Sequence, residues 1–327
     1  MYLVTGGAGF IGSNIVAALS ERNDEVVVCD WLRDDERWRN LAKHEIAEVI
    51  EPETALAWLR RKGDRLRAVV HMGAISATTE ANVDLIATRN VRATLELMEW
   101  CTDAQVPLVF ASSAASYGDG FQGFDDSFTR SSLAKLRPLN AYGWSKHVVD
   151  RRFARLVEEG AKLPPQCVGL KFFNVYGPNE YHKGSMQSVV AKNYAIVRNG
   201  QPLRLFRSYR AEYADGGQQR DFVYVRDCVD VVVWLLDHPQ VSGLFNLGTG
   251  QARSWLDLAK ALFAEAGRPP AIEFIEMPPA LIEKYQYFTQ ARMERLRSVG
   301  YERPFTSLEQ GIADYVSRYL AADDPYR

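Results

Sequence analysis

Gly6, Gly9 and Gly12 recur at three-residue intervals, directly after the apolar run Met1-Tyr2-Leu3-Val4-Thr5 and directly before apolar positions at helical spacing over residues 11–19. No other feature restricts the chain so strongly. The early glycines permit a tight turn and a close backbone approach to a pyrophosphate. The last one lets helix and strand pack closely, and the helix N-terminus adds free amides and a positive dipole. A glycine pattern alone is weak evidence, and a purely structural turn is its plain alternative. Here the second apolar run, Val26-Val27-Val28-Cys29, also ends in an acid, Asp30, 18 residues after Gly12. The combination predicts a dinucleotide site in which Asp30 bonds an adenosine ribose, an arrangement that suits NAD. Arg33, Arg37 and Arg39 follow closely, and a guanidinium there would hold a 2′-phosphate and suit NADP. A solvated basic turn explains the same arginines, so the sequence leaves the phosphate state open.

More short apolar runs follow. Ala68-Val69-Val70-His71 precedes Gly73, Leu108-Val109-Phe110-Ala111 precedes Ser112-Ser113, and a run from Cys167 to Phe172 precedes Asn174. Helical patterns lie between them, over residues 82–101 and 145–159. Continuous apolar strands alternating with helices predict an α/β fold, a Rossmann-type doubly wound parallel sheet with right-handed crossovers. After about Gly177 the pattern changes to a helix over 185–199, a polar loop over 207–219 with Gly216-Gly217, and a strand at Phe222-Val223-Tyr224-Val225. A helix over 227–237, a strand at Phe245-Asn246-Leu247-Gly248 and a Pro-punctuated helical remainder follow, and the tail, 321–327, reads as frayed. These patterns predict a dinucleotide-binding domain over 1–177, with return segments near 220–250 that add a seventh or eighth strand. A smaller, discontinuous substrate subdomain would come from 178–219 and 251–327, leaving the cleft at the carboxyl ends of the strands.

Charge narrows the function classes. Lysine plus arginine number 39 against 41 acidic residues, a net charge of −2, so no global basic field exists to gather nucleic acid or an anionic membrane. No apolar run approaches the ~18 residues of a membrane span. The chain opens on a strand pattern without a basic leader or cleavage site, so a cytoplasmic location is expected. Cys29, Cys101, Cys167 and Cys228 are scattered without CxxC spacing. They read as small core residues, not as a disulfide framework or a zinc site, and no metal is expected.

The second chemical signal is Tyr142-Gly143-Trp144-Ser145-Lys146. Tyrosine and lysine four apart share a helical face. An ammonium beside a phenol would lower the phenol's pKa and let it act as a base near neutral pH, and the same ammonium could hold a nicotinamide ribose. A YxxxK match is common by chance. Its place after the strand that ends in Ser112-Ser113 makes it more specific: Ser113 could bond the reacting hydroxyl, while Ser112 reads as a strand-end cap.

Together these segments resemble the extended short-chain dehydrogenase/reductase family, in its nucleotide-sugar epimerase branch, over nearly the whole chain. The resemblance is carried by Gly6 to Gly12, His71 to Ala74, Ser112-Ser113 with Tyr117-Gly118, Tyr142 to Lys146, Phe173-Asn174-Val175-Tyr176-Gly177-Pro178, Arg220 to Val225, Phe245 to Gly250 and Tyr285 to Gln290. His182-Lys183-Gly184-Ser185-Met186 is the most discriminating stretch and is similar to that of members acting on an ADP-linked heptose.

The resemblance implies a nicotinamide cofactor, NADP or else NAD, that oxidises C6 of the heptose transiently before re-reduction on the opposite face. It implies acid/base groups on two sides, Tyr142 and Lys183, with Lys146 orienting the cofactor and Ser113 assisting the reacting oxygen. Implied cofactor contacts are Gly6, Gly9, Phe10, Ile11 and Gly12 at the turn, Asp30, Trp31 and Arg37 on the adenosine side, and Met72, Gly73, Ala74, Ile75 and Ser76 after the third strand. Asn90, Lys146, Val175 and Lys183 complete that set. Implied substrate contacts are Asn174, Ser185, Lys192, Phe206, Arg207, Ser208, Tyr209, Arg220 and Tyr285. Arg220 would fork onto a diphosphate; its plain alternative is a surface ion pair with Asp221. The family lysine that reaches the adenosine phosphate has no match, since Pro52 falls near its position, and the 207–219 loop is long, a lid or an inert insertion. A dehydratase would need a carboxylic acid after Ser113, where Ala114 stands, and a non-catalytic dinucleotide-binding regulator would be expected to lack Tyr142 or Lys146. A homo-oligomer, often a pentamer in the family, and a role in making the inner core of bacterial lipopolysaccharide complete the expectations.

Overall fold

The computed structural model describes residues 1–282 and 285–327. Its strands are β1 (Tyr2–Thr5), β2 (Val26–Cys29), β3 (Glu48–Ile50), β4 (Ala68–His71), β5 (Leu108–Ser113), β6 (Cys167–Phe172), β7 (Asn174–Tyr176), β8 (Leu203–Phe206), β9 (Gln219–Tyr224), β10 (Gly243–Leu247), β11 (Ala252–Ser254) and β12 (Ile272–Ile275). Seven form one sheet in the order β10-β6-β5-β4-β1-β2-β3, with every pairing parallel. The β-branched runs suit strands buried on both faces. Val4, Val28, Val70 and Val109 point into one apolar layer, and their neighbours Leu3, Val27, Val69 and Leu108 into the other. Strand order reverses between β1 and β4, the point at which doubly wound sheets bind ligands.

A third apolar cluster lies away from the main sheet. Tyr176, Tyr194, Leu205, Phe222, Leu262 and Tyr315 pack in it, beneath a three-stranded sheet β11-β9-β7 and a parallel pair β12-β8. The helices Val189–Arg198, Trp255–Glu265 and Leu308–Tyr315 enclose it, each N-capped by a serine, Ser188, Ser254 and Ser307.

Several local expectations are corrected. β3, β7, β8, β11 and β12 have no counterpart among the strands expected from the sequence. β3 has three residues, and Leu203-Arg204-Leu205-Phe206 and Ile272-Glu273-Phe274-Ile275 interleave charge with apolar residues because one side of that pair faces water. The helix expected over 185–199 begins at Val189, because residues 181–186 form a tight turn in which Gly184 takes φ 52°. β9 ends at Tyr224, and the helix Val225–Asp237 starts where strand was expected to continue. The helix over 82–101 contains a π-helical turn at Ala87–Arg92. The tail is docked, not frayed. Tyr181 Oη donates to the Pro325 carbonyl (2.8 Å), the Arg327 amide to Asn179 Oδ1 (2.9 Å), and the Tyr326 ring meets Tyr181 edge-on at 5.3 Å. All four cysteines are buried, free thiols.

Candidate active site

The glycine turn is sterically obligatory. Gly6 has φ 64°, and a Cβ there would lie 2.7 Å from the Gly73 Cα, while a Cβ on Gly12 would lie 2.0 Å from the Gly6 carbonyl oxygen. The turn is therefore squeezed between the end of β4 and the helix Phe10–Glu21, with bare backbone at the switch point. Asp30 fixes it from the side. One carboxylate oxygen accepts from the Ala8 amide (3.0 Å) and the other from the Trp31 amide (2.8 Å). Burial raises the Asp30 pKa, and these amides pull it back down.

Beyond Asp30 opens a cavity of about 650 Å³, lined by Asp30, Trp31, Arg33, Ile50, Glu53 and Arg89 among others. Its size and flat Trp31 wall suit an adenosine, and with the Cβ-free turn beside it the residues present fit a dinucleotide. The basic residues of this region differ in their freedom, and of them Arg33 and Arg89 line the cavity. Arg37 forks onto Asp35 at 2.7–3.1 Å, Arg39 pairs with Glu36, and Arg89 pairs with Glu53 at 3.0 Å while lying over Trp31. Arg33 has no carboxylate within pairing distance among the described residues, and it lines the cavity.

Tyr142, Ser145 and Lys146 lie near the start of the helix Ala141–Glu158, capped by the Asn140 side chain. Lys146 is buried and donates to the Ala111 carbonyl on β5 (2.8 Å); burial lowers its pKa to about 8. Tyr142 departs from expectation. Burial raises its phenol pKa, the Ser113 hydroxyl lowers it, and Asp150 raises it; desolvation outweighs any help from Lys146. The capping role expected of Ser112 falls instead to Ser113. Ser113 Oγ caps the turn Ala114–Tyr117 by accepting from the Ala115 amide (3.1 Å), and its proton stays available for donation. Ser112 donates to the Asp150 carboxylate (2.9 Å). Asn90 is fully buried and brackets Ile75, accepting from its amide (2.8 Å) and donating to its carbonyl (2.9 Å) and to Ser145 Oγ (3.0 Å). It thus ties the loop Met72-Gly73-Ala74-Ile75-Ser76 to the Tyr142 helix, with both amide protons already used.

Lys183 sits in the turn Tyr181–Met186, half-buried, its ammonium 4.9 Å from the centre of the Phe10 ring. Burial lowers its pKa and the Glu180 carboxylate partly restores it. No carboxylate comes within pairing distance of its ammonium among the described residues. The loop is pinned to the glycine-turn helix. Asn14 Nδ2 donates to the Pro178 carbonyl (3.0 Å) and Asn179 Nδ2 to Ser13 Oγ (3.0 Å), while Asn40 Nδ2 bridges the Ala8 carbonyl (2.8 Å) and the Asn179 carbonyl (3.3 Å). Val175 is half-buried and Asn174 and Ser185 are exposed. Lys192 reaches the Ser185 carbonyl.

At the far end, Phe206, Arg220 and Tyr285 come together. The Arg220 guanidinium lies 5.2 Å from the Tyr285 ring and 5.8 Å from the Trp255 ring, and Phe206 meets Tyr285 edge-on at 6.2 Å. Arg220 is only 7% exposed, its guanidinium donates to the Gln219 carbonyl (2.8 Å), and burial lowers its pKa. The alternative pair with Asp221 does not form, because that carboxylate accepts from the amides of Thr249, Gly250 and Ala291. Arg207 instead pairs with Asp215 and Glu276, the Ser208 amide bonds Asp215, and the Tyr209 amide bonds Tyr287 Oη. The contacts with Asp215 close the 207–219 loop on itself, and those with Glu276 and Tyr287 tie it to the neighbouring segment. Arg210, Tyr213, Tyr285 and Tyr287 line a smaller cavity of about 180 Å³ there.

Sequence reading missed Trp255, Asn14, Asn40 and the pair Asp150–Lys171. Asp150 had a readable signal, because it continues the four-residue spacing of Tyr142 and Lys146. The others meet the site only through tertiary packing.

Fold and site define a nicotinamide-dinucleotide-binding protein of the nucleotide-sugar-modifying type. The model of the NAD dependent epimerase/dehydratase family matches residues 2–248, and the chain belongs to that family. It is 48% identical over 330 residues to the ADP-L-glycero-D-manno-heptose-6-epimerase of Nitratidesulfovibrio vulgaris, covering 100% of both chains. It is 42% identical over 335 residues to the protein of that name from Fusobacterium nucleatum, again with 100% of each covered. The crystal structure of the Helicobacter pylori ADP-L-glycero-D-manno-heptose-6-epimerase superposes with a TM-score of 0.78 at 30% identity, covering 97% of this chain and 95% of that one. The Thermus thermophilus UDP-glucose 4-epimerase, solved with NAD, gives 0.71 at 28% identity, with 95% and 96% covered.

Proposed function

We propose that the chain inverts C6 of the heptose in ADP-glycero-manno-heptose. The sugar assignment follows the names of the full-length relatives. The structural observation that carries the substrate class is Arg220, a buried guanidinium among aromatic rings with no carboxylate in pairing distance among the described residues. A buried charge demands a counter-charge, and a diphosphate meets its fork bidentately. Phe206, Tyr285 and Trp255 offer the adjoining base and ribose apolar faces.

When bound, the dinucleotide supplies reversible two-electron oxidation at C6. The chain's own residues handle protons and position. Tyr142 exchanges a proton with the C6 oxygen on one side, Ser113 donates a hydrogen bond to that oxygen, and Lys183 serves the other face. A single group cannot easily reach both faces of an inverting carbon, which is why a second, counter-ion-free ammonium matters. Lys146 orients the cofactor ribose. We infer NADP as the cofactor, held at its 2′-phosphate by Arg33, since Arg37 is already engaged by Asp35.

Incubation with ADP-D-glycero-D-manno-heptose, followed by chromatography of the product, tests the reading. The expected outcome is an equilibrium mixture of the two C6 epimers. Absence of conversion by protein that retains its nicotinamide, or faster turnover of a UDP-hexose, would remove the assignment.

A further inference from the structure

Lys171 is an anomaly in its strand. β6 reads Cys-Val-Gly-Leu-Lys-Phe, every residue is buried, and the lysine is 0% exposed. Its ammonium pairs with Asp150, also 0% exposed, at 2.5 Å. Replacing such a pair with apolar residues is often neutral or stabilising, so stability gives little reason to keep it. Its surroundings give a better one. Asp150 follows Tyr142 and Lys146 at four-residue intervals, so the three share one helical face. Ser112 stands opposite Lys171 in the β5–β6 register and donates to the same Asp150 oxygen (2.9 Å). Lys171 also bonds Ser116 Oγ (2.5 Å), and Ser116 in turn donates to the Ser113 carbonyl (2.7 Å). The pair therefore grips the residues on both sides of Ser113. The second Asp150 oxygen is buried with no hydrogen-bond partner among the described residues, so its charge is only partly quenched.

We propose that the buried Asp150–Lys171 pair is the positioning device of this site: it fixes Ser113 and sets, through the balance of its two charges, the pH at which Tyr142 and Lys146 change protonation. Asp150 is the nearer partner, one turn from Lys146 on the same helix, so the pair presents a net negative potential to both groups. The carboxylate raises the pKa values of both, in keeping with that geometry. Other charged or titratable groups stand around the cluster: His71 on β4, His147 and Arg151 on the same helix, Arg137 before it, Tyr117 on the Ala114–Tyr117 turn and Asp126 beyond. They are common to every variant below, so differences between variants isolate the pair.

The inference rests on the proposed roles of Tyr142 and Lys146, and the test separates the two. The measurement is kcat/KM for ADP-D-glycero-D-manno-heptose against pH. If Tyr142→Phe retains full activity, the site reading fails, and the pair's control of Tyr142 protonation fails with it. If Tyr142→Phe is impaired, the basic limb of the profile decides. Asp150→Asn, which leaves Lys171 uncompensated, should move it to lower pH, and Lys171→Gln should move it to higher pH. Each shift should be about half a pH unit or more, the size of a unit charge ~6–12 Å away at an effective dielectric of ~20–40. The uncharged double variant leaves no lone buried charge and is the one to use if a single variant fails to fold. Its limb should move to lower pH by less than that of Asp150→Asn. Retained cofactor should stay at the wild-type stoichiometry throughout. A limb that stays in place in the double variant, or shifts of one sign in both single variants, would overturn the proposal, because a merely structural pair loses turnover without moving the limb in opposite directions.

Discussion

At the scale of single residues the site divides into groups that act and groups that hold. Tyr142→Phe removes the exchangeable proton and should lower turnover ~10²–10⁴-fold with the cofactor still bound, measured as kcat alongside the absorbance of retained nicotinamide. Lys183→Met should be as damaging to kcat. A change confined to KM would leave the two-face scheme without its second partner. The two arginines Arg33 and Arg37 make a sharper comparison. Arg33→Ala should weaken NADP relative to NAD in a binding titration, whereas Arg37→Ala should leave their ratio nearly unchanged. The opposite ranking would return the phosphate contact to Arg37. The resemblance singled out Arg37 among Arg33, Arg37 and Arg39, and the sequence does not show the Asp35 fork that occupies it, because that fork depends on a local turn. The sequence separated Ser113 from Ser112 but gave the cap to Ser112. That Ser113 caps the following turn while Ser112 bonds Asp150 is set by the pleat of β5, which the sequence does not show.

At the scale of elements, the glycine turn and the long parallel strands were legible because steric necessity and continuous apolar runs leave few alternatives. β3, β8 and β12 were not, since three or four residues with a charge among them match a loop equally well. One tie between elements has a measurable signature. His71 at the end of β4 bonds Thr5 Oγ1 of β1 (2.6 Å) and Thr94 Oγ1 of the helix Ala93–Ala104 (2.9 Å). Thr94 already gives its proton to the Asn90 carbonyl, so the imidazole donates to Thr94 from Nε2 and accepts from Thr5 at Nδ1. It is therefore held neutral, and burial pushes its pKa down to about 3 from the usual 6.5. Protons then bind the unfolded chain in preference. This stabilising contribution is complete above about pH 6.5 and is lost as pH falls toward 3, at up to ~1.4 kcal/mol per pH unit. Urea unfolding at pH 7, 6 and 5 should show a flatter loss of stability in His71→Asn than in wild type, although the variant starts lower; parallel curves would contradict the neutral imidazole.

At the scale of the whole molecule, β1 to β6 are laid down in order, the chain then leaves to build β7, β8 and β9 in the other lobe, and it returns to place β10 beside β6. The sequence showed this excursion as the change of pattern after Gly177. It did not show that the tail comes back across the Lys183 loop, because a Tyr-Arg ending has no periodicity to read. The excursion bears on how the protein is made. Between completion of β6 at residue 172 and β10 at residue 247 lie 75 positions, about 4–15 s of translation at ~5–20 residues per second. For that interval the nascent sheet carries a naked apolar border along Leu170 and Phe172, open to any neighbouring strand on a crowded ribosome. Chaperone capture in that window, and inclusion bodies when expression outruns it, follow from the order in which one sheet receives its last strand.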